Sequence, residues 1–132
     1  MRVLFDTNVL VTILIRREGI LRFKTQLEGH DLTHITSRYI ISEVEYTLPK
    51  LQLTKPRTRA AARLLAKYST IVKPKRIDEV VRDPNDDAIL AAAVEGSADY
   101  LVSTDKDLLI LKEHQGIRII SLDQWSAIVN NR

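Results

Sequence analysis

A chain of 132 residues, 45% hydrophobic and 28% charged, has the composition of an ordinary globular domain, long enough to bury roughly two-thirds of its unfolded surface around one core. The lack of cysteine excludes disulfides, thiolate nucleophiles and Cys-type zinc sites, and is compatible with a cytoplasmic protein. The formal net charge of +3 is modest, but the cations cluster at Arg16, Arg17, Arg22 and Lys24, from Lys50 to Lys67, and at Lys73, Lys75 and Arg76. Such segments suit either a polyanion or the solvated faces of helices.

In chain order, Arg2 to Asp6 (RVLFD) reads as a buried strand whose carboxyl end delivers an acid. From Asn8 the chain turns helical. The apolar run Val9 to Ile15 is too short to span a bilayer and is flanked by Asp6 and by Arg16-Arg17, which favours a buried helix over a signal peptide and argues against a membrane segment. A second helix spans Arg17 to Glu28, with Gly29 as its stop. A brief strand at His34 to Thr36 is followed by Ser37, an N-cap for a helix through Glu43 and Leu48 that Pro49 ends or kinks. Strong helix formers fill Pro56 to Tyr68, and Thr70 to Lys73 makes a β-branched strand closed by Pro74. Asp83-Pro84 opens a helix that runs to Gly96. The remainder reads as a strand at Tyr100 to Ser103, a short helix from Asp105 to Leu111, a strand at Arg118 to Ser121 and a helix from Asp123 to Asn130.

Strands alternating with helices predict one domain over residues 1–132, an α/β fold with a mostly parallel sheet covered on both faces. Ligands of such sheets bind beyond the carboxyl ends of the strands. Acidic residues stand at those ends: Asp6, Glu43, the Asp83/Asp86/Asp87 group and the Asp105/Asp107 pair. Each alone has a plain structural explanation. Asp6, Asp83 and Asp105 can cap helices, Asp86 and Asp87 suit a helix first turn, and Glu43 and Asp107 can be solvated. Their joint order is what carries information. Two unit charges ~4 Å apart repel by about 4 kcal/mol at an effective dielectric of 20, so converging carboxylates call for an offset such as a divalent cation. The residue types are those that bind Mg2+, a hard ion taking oxygen ligands. His30, His34 and His114 lack a nucleophile partner, and no glycine-rich phosphate loop follows a strand, which weakens a nucleotide-binding regulator.

The segments VLFDTNVLV, SEVEYTL, DPNDDAILAAAVEGSADYLVSTDKDLLIL and IRIISLDQW resemble the PIN-domain family, especially its small stand-alone prokaryotic members related to VapC-like toxins. The resemblance covers nearly the whole chain and is most specific from Asp83 to Leu111. It implies a three-layer α/β/α sandwich, an Mg2+- or Mn2+-dependent endoribonuclease, a homodimer and an inhibiting antitoxin. It places the four acidic ligands on Asp6, Glu43, Asp87 and Asp105, with Asn8 and Thr104 as polar site residues. Asp83 and Asp86 rival Asp87, Asp107 rivals Asp105, and Glu45 is a lesser rival to Glu43. With 5% aromatic residues, base stacking has little material, so RNA contacts should be to phosphate and shape, with Arg16, Arg17, Lys73, Lys75 and Arg76 along the approach. The competing reading is a non-catalytic scaffold that binds RNA or protein.

Overall fold

The structure is a computed structural model that describes residues 1–29 and 31–131; His30 and Arg132 lie outside the described residues. Its elements are β1 (Arg2–Phe5), α1 (Thr7–Ile15), α2 (Gly19–Glu28), β2 (Thr33–Thr36), α3 (Arg38–Lys50), α4 (Lys55–Tyr68), β3 (Ser69–Ile71), α5 (Pro84–Glu95), β4 (Tyr100–Val102), α6 (Lys106–Leu109), β5 (Glu113–His114), β6 (Ile117–Ile120) and α7 (Leu122–Asn130). Helix starts follow local chemistry. Asp6, Ser37, Thr54, Asp83, Asp105 and Ser121 each accept a backbone N–H as N-cap, and Ser121 with Gln124 completes a capping box. Pro49 sits in the last turn of α3, which stops at Leu51.

Among the described residues the strands form one six-stranded sheet in the order β3-β2-β1-β4-β6-β5, parallel except for β5 against β6. Helices flank it on both sides, giving a three-layer α/β/α arrangement. Three strands run outward from β1 to β3, and right-handed crossovers put α1 to α4 on one face. There Phe5 meets Phe23 of α2 with ring centroids 5.8 Å apart, and Trp125 of α7 edge-on at 5.5 Å. The return from β3 to β4 carries α5 over the opposite face, where Gly96 lies against Ile35. The core consists of Val3, Leu4, Phe5, Ile35, Leu101 and Val102 from the sheet and of Val9, Leu14, Phe23, Val44, Leu65, Leu90 and Leu108 from the helices. Among the described residues no helix is long and apolar enough to cross a membrane.

Most element ends differ from the sequence reading by one or two residues. The third strand is Ser69–Ile71 rather than 70–73, and the short helix ends at Leu109. An antiparallel edge strand, β5, is new: Gln115 (φ 49°) and Gly116 (φ 81°) form a two-residue hairpin turn with both central residues left-handed, the conformation that glycine tolerates best.

Candidate active site

β1 and β4 lie side by side, yet their connections leave in opposite directions, so a crevice opens at their carboxyl ends. Into it project residues that follow β1, β2, β3 and β4. A cleft of about 180 Å³ is lined by Asp6, Thr7 and Asn8 after β1, by Tyr39, Glu43 and Thr47 of α3, by Asp83, Asn85, Asp86 and Ile89 at the start of α5, and by Asp105 after β4. Tyr39, Glu43 and Thr47 are spaced four apart, which stacks them along one face of α3.

Asp6 is buried, at 3% exposure, and both its oxygens are engaged. Oδ1 accepts from Val9 N–H at 2.9 Å and Oδ2 accepts from the Ser103 hydroxyl at 2.5 Å. Ser103 Oγ in turn accepts from the backbone N–H of Asp105 at 2.9 Å, so one hydroxyl links two of the acids. Burial pushes the Asp6 carboxyl up from its ordinary range, against the hydrogen bonds of Ser103, Val9 and Thr104 that pull it down. Asp86 is 6% exposed, and its Oδ2 is buried with no hydrogen-bond partner. Burial raises its carboxyl to about 7, helped by the close approach of the Asp105 carboxyl and by the charges of Asp105, Asp83 and Asp6. On the opposite wall Tyr39 donates its hydroxyl to Asn85 Oδ1 at 2.5 Å. Burial and the neighbouring Glu43 push the phenol well above its usual range.

The neighbours Asp86 and Asp87 face different ways. Asp87 is also buried, but it does not line this cleft; its Oδ1 accepts from Val80 N–H and Val81 N–H, both at 2.9 Å. Asp83 caps α5 by accepting from Asn85 N–H, and Asp105 caps α6 by accepting from Asp107 N–H. Asp107 pairs with Arg82. Asn8 lines the cleft, whereas Thr104 is exposed and supports Asp6 through its backbone. Arg16 and Arg17 are at the far end of α1, beside a groove between α2 and α7, and Lys75 and Arg76 line a pocket on the other side of α5 with His114 and Gln115. Lys73 is exposed between β3 and that pocket.

Tyr39, Thr47, Asn85 and Ser103 escaped the sequence reading. For Tyr39 and Thr47 the signal is present in their spacing of four from Glu43.

The donors are carboxylate oxygens, one of them buried without a protein partner, and in kind they fit a hard divalent cation. Among the described residues no three acids or histidines lie close enough together to hold a metal ion by themselves.

A family model described as PIN domain matches residues 2–107. No curated protein matches the chain. Among solved structures, a chain of the VapBC2 crystal structure from Rickettsia felis, bound to a DNA fragment from their promoter, superposes with a TM-score of 0.61, covering 93% of this chain and 100% of that one at 14% identity. At that identity the likeness is one of fold. The matched residues reach from β1 through Asp105 and so include every acid of the cleft, and by this match the chain belongs to the PIN domain family.

Proposed function

We propose that the protein is a metal-dependent endoribonuclease, the toxin of a toxin-antitoxin pair. The observation that carries this reading is the buried, partnerless Oδ2 of Asp86 in a cleft shared with Asp6, Glu43 and Asp105. A buried polar atom without a partner costs about 1–3 kcal/mol, and more when charged, and a cation in the cleft would satisfy this one. Mg2+ or Mn2+ bound here supplies positive charge that polarises the scissile phosphate and favours ionisation of an attacking water.

The rest falls to the chain. Asp6, Glu43, Asp86 and Asp105 hold the cation, with Asp86 rather than Asp87 as the third acid, because Asp87 already accepts two amide protons. Ser103 fixes the orientation of Asp6 and the backbone of Asp105. Tyr39, Asn85 and Thr47 form the uncharged wall on which a nucleotide rests. Without a cation, this cleft repels a phosphodiester, so substrate and ion enter together. The fold-level likeness to VapBC2 and the chain's family support an antitoxin partner; a second copy of the chain and a cytoplasmic location complete the proposal.

The test is cleavage of a mixed RNA pool in Mn2+ with and without chelator, for the wild type and for Asp6→Asn. Cleavage that survives chelation, or an Asp6→Asn protein that cuts at the wild-type rate, contradicts the assignment. The absence of a preformed three-acid cage favours one other reading, a scaffold that binds without cutting. In that case millimolar Mn2+ leaves the melting temperature unmoved, whereas a bound ion raises it by linkage.

A further inference from the structure

We propose that Arg82 receives the substrate phosphate at the rim of the acidic cleft, held there by Asp107 and by a strap that Asp87 fastens. This rests on the nuclease reading above. No cation lines the cleft itself among the described residues, yet a phosphodiester has to be brought to it. The basic segments of the chain stand elsewhere. Arg16 and Arg17 follow an α1 of nine residues, which separates them from Asp6 by roughly 13 Å of helix. Arg76, paired with Asp78 at 2.6 Å, lines the pocket on the other side of α5.

Arg82 flanks the site. It immediately precedes Asp83, a lining residue, its partner Asp107 follows Asp105 by two, and the charge of Asp105 acts on its guanidinium, while its own side chain lines the adjacent pocket with Val81, Pro84 and Asp87. Arg82 Nη2 donates to both oxygens of Asp107, at 2.9 and 3.0 Å. Both contacts use one nitrogen. Nε and Nη1 have no partner among the described residues, and the side chain is 87% exposed. A guanidinium anchored by one carboxylate and open on its other donors is preorganised for a second anion. The bland alternative is a surface ion pair, which adds little to stability and nothing to binding.

What holds Arg82 in place is the irregular strap between β3 and α5. It is tied at Val72 N–H to Thr36 O at 2.9 Å and at Lys75 N–H to Glu95 Oε1 at 3.1 Å. The last tie before Arg82 is the pair of N–H groups of Val80 and Val81 on Asp87 Oδ1. Asp87 is therefore a positioning residue. Since a single oxygen accepts both protons, asparagine can replace it, which would not hold for a metal ligand.

The experiment uses the full chain with a fluorescently labelled single-stranded RNA, read by anisotropy over a salt series and by steady-state cleavage in Mn2+. Arg82→Ala is expected to raise KM about tenfold, the loss of one charge-assisted hydrogen bond, with kcat within about twofold and the melting temperature unchanged. Its log-log salt slope should flatten by about 0.7, one phosphate contact on a single strand. Asp87→Ala should raise KM similarly and add nothing to Arg82→Ala, while Asp87→Asn behaves as wild type. If Asp87→Ala fails to fold, Asp107→Asn releases Arg82 without touching the strap and must raise KM. A wild-type KM and salt slope in Arg82→Ala overturn the proposal. So does an Asp87→Asn protein that loses both cleavage and the Mn2+ thermal shift, since Asp87 is then a ligand. A wild type that binds the RNA but never cuts it removes the nuclease reading alone, and the salt slope still decides the role of Arg82.

Discussion

Ser103 and Asp6, 97 residues apart in sequence, are joined by a hydrogen bond at the adjacent ends of β4 and β1. Ser103 is fully buried and its hydroxyl also accepts the Asp105 amide, so this small side chain sets the spacing between two acids that arrive from different parts of the chain.

Ser103→Ala should therefore cost more than a surface hydroxyl. It leaves Asp6 Oδ2 buried without its donor, a loss of about 1–3 kcal/mol for a hydrogen bond to a carboxylate. Urea denaturation in chelator measures the drop, and the stabilisation by Mn2+ should shrink with it. An alanine variant as stable and as metal-responsive as wild type would separate Ser103 from the site.

Asp86→Asn should reveal opposed pH dependences. Asp86, raised to about 7, binds a proton in the folded state that the unfolded chain releases above its ordinary value of 3.8, so its contribution to stability declines as pH rises from about 4 to 7. His34 does the reverse. Lowered to about 3 by burial, it stays neutral when folded while the unfolded imidazole protonates below 6.5, so its contribution grows with pH over about 3 to 6.5. The two oppose each other in the wild type. The gain in stability of Asp86→Asn over wild type, in chelator, should grow by up to about 1.4 kcal/mol per pH unit toward pH 7 and then level off. Stability curves at pH 4.5, 6 and 7.5 test the sign, and a difference that is constant with pH contradicts it.

Gly96→Ala should destabilise the fold without touching the site. An added Cβ would stand 2.5 Å from Ile35 Cγ2 and 2.9 Å from Ile35 Cδ1, and Ile35 is fully buried in β2. Overpacking of this kind costs about 1–3 kcal/mol. Thermal melting measures the loss, and Gly96→Ala should cost less in an Ile35→Ala background than in the wild type.

Trp125→Ala removes a 4%-exposed ring packed edge-on against Phe5 and at 5.9 Å from Tyr100. The loss should be about 3–5 kcal/mol. Because the ring lies on the face of the sheet that carries α7 and not in the cleft, the thermal shift produced by Mn2+ should persist in whatever folded protein remains.

The alternation of strands and helices is legible in the sequence because Val, Ile and Leu runs end on capping residues, and those same ends place Asp6, Glu43 and Asp105 beside one cleft. The choice between Asp86 and Asp87 is not legible. Adjacent helical residues point about 100° apart, so the choice depends on how α5 is rolled against the sheet. Its sequence gives no phase, because Ile89, Leu90, Ala91, Ala92 and Ala93 are buried all round the helix. The β5–β6 hairpin is hidden for a different reason: its turn is Gln115-Gly116, without the Asn or Asp that usually marks such turns. Arg82 goes unnoticed because it lies outside every basic cluster, in a strap without periodicity.

In the sheet order, β1 has β2 on one side and β4 on the other, and β4 is contributed only after residue 99 of the chain. A nascent polypeptide still lacking that strand has Asp6 with neither its hydroxyl donor nor its neighbouring aspartate. Fragments released early in synthesis thus cannot assemble the crevice.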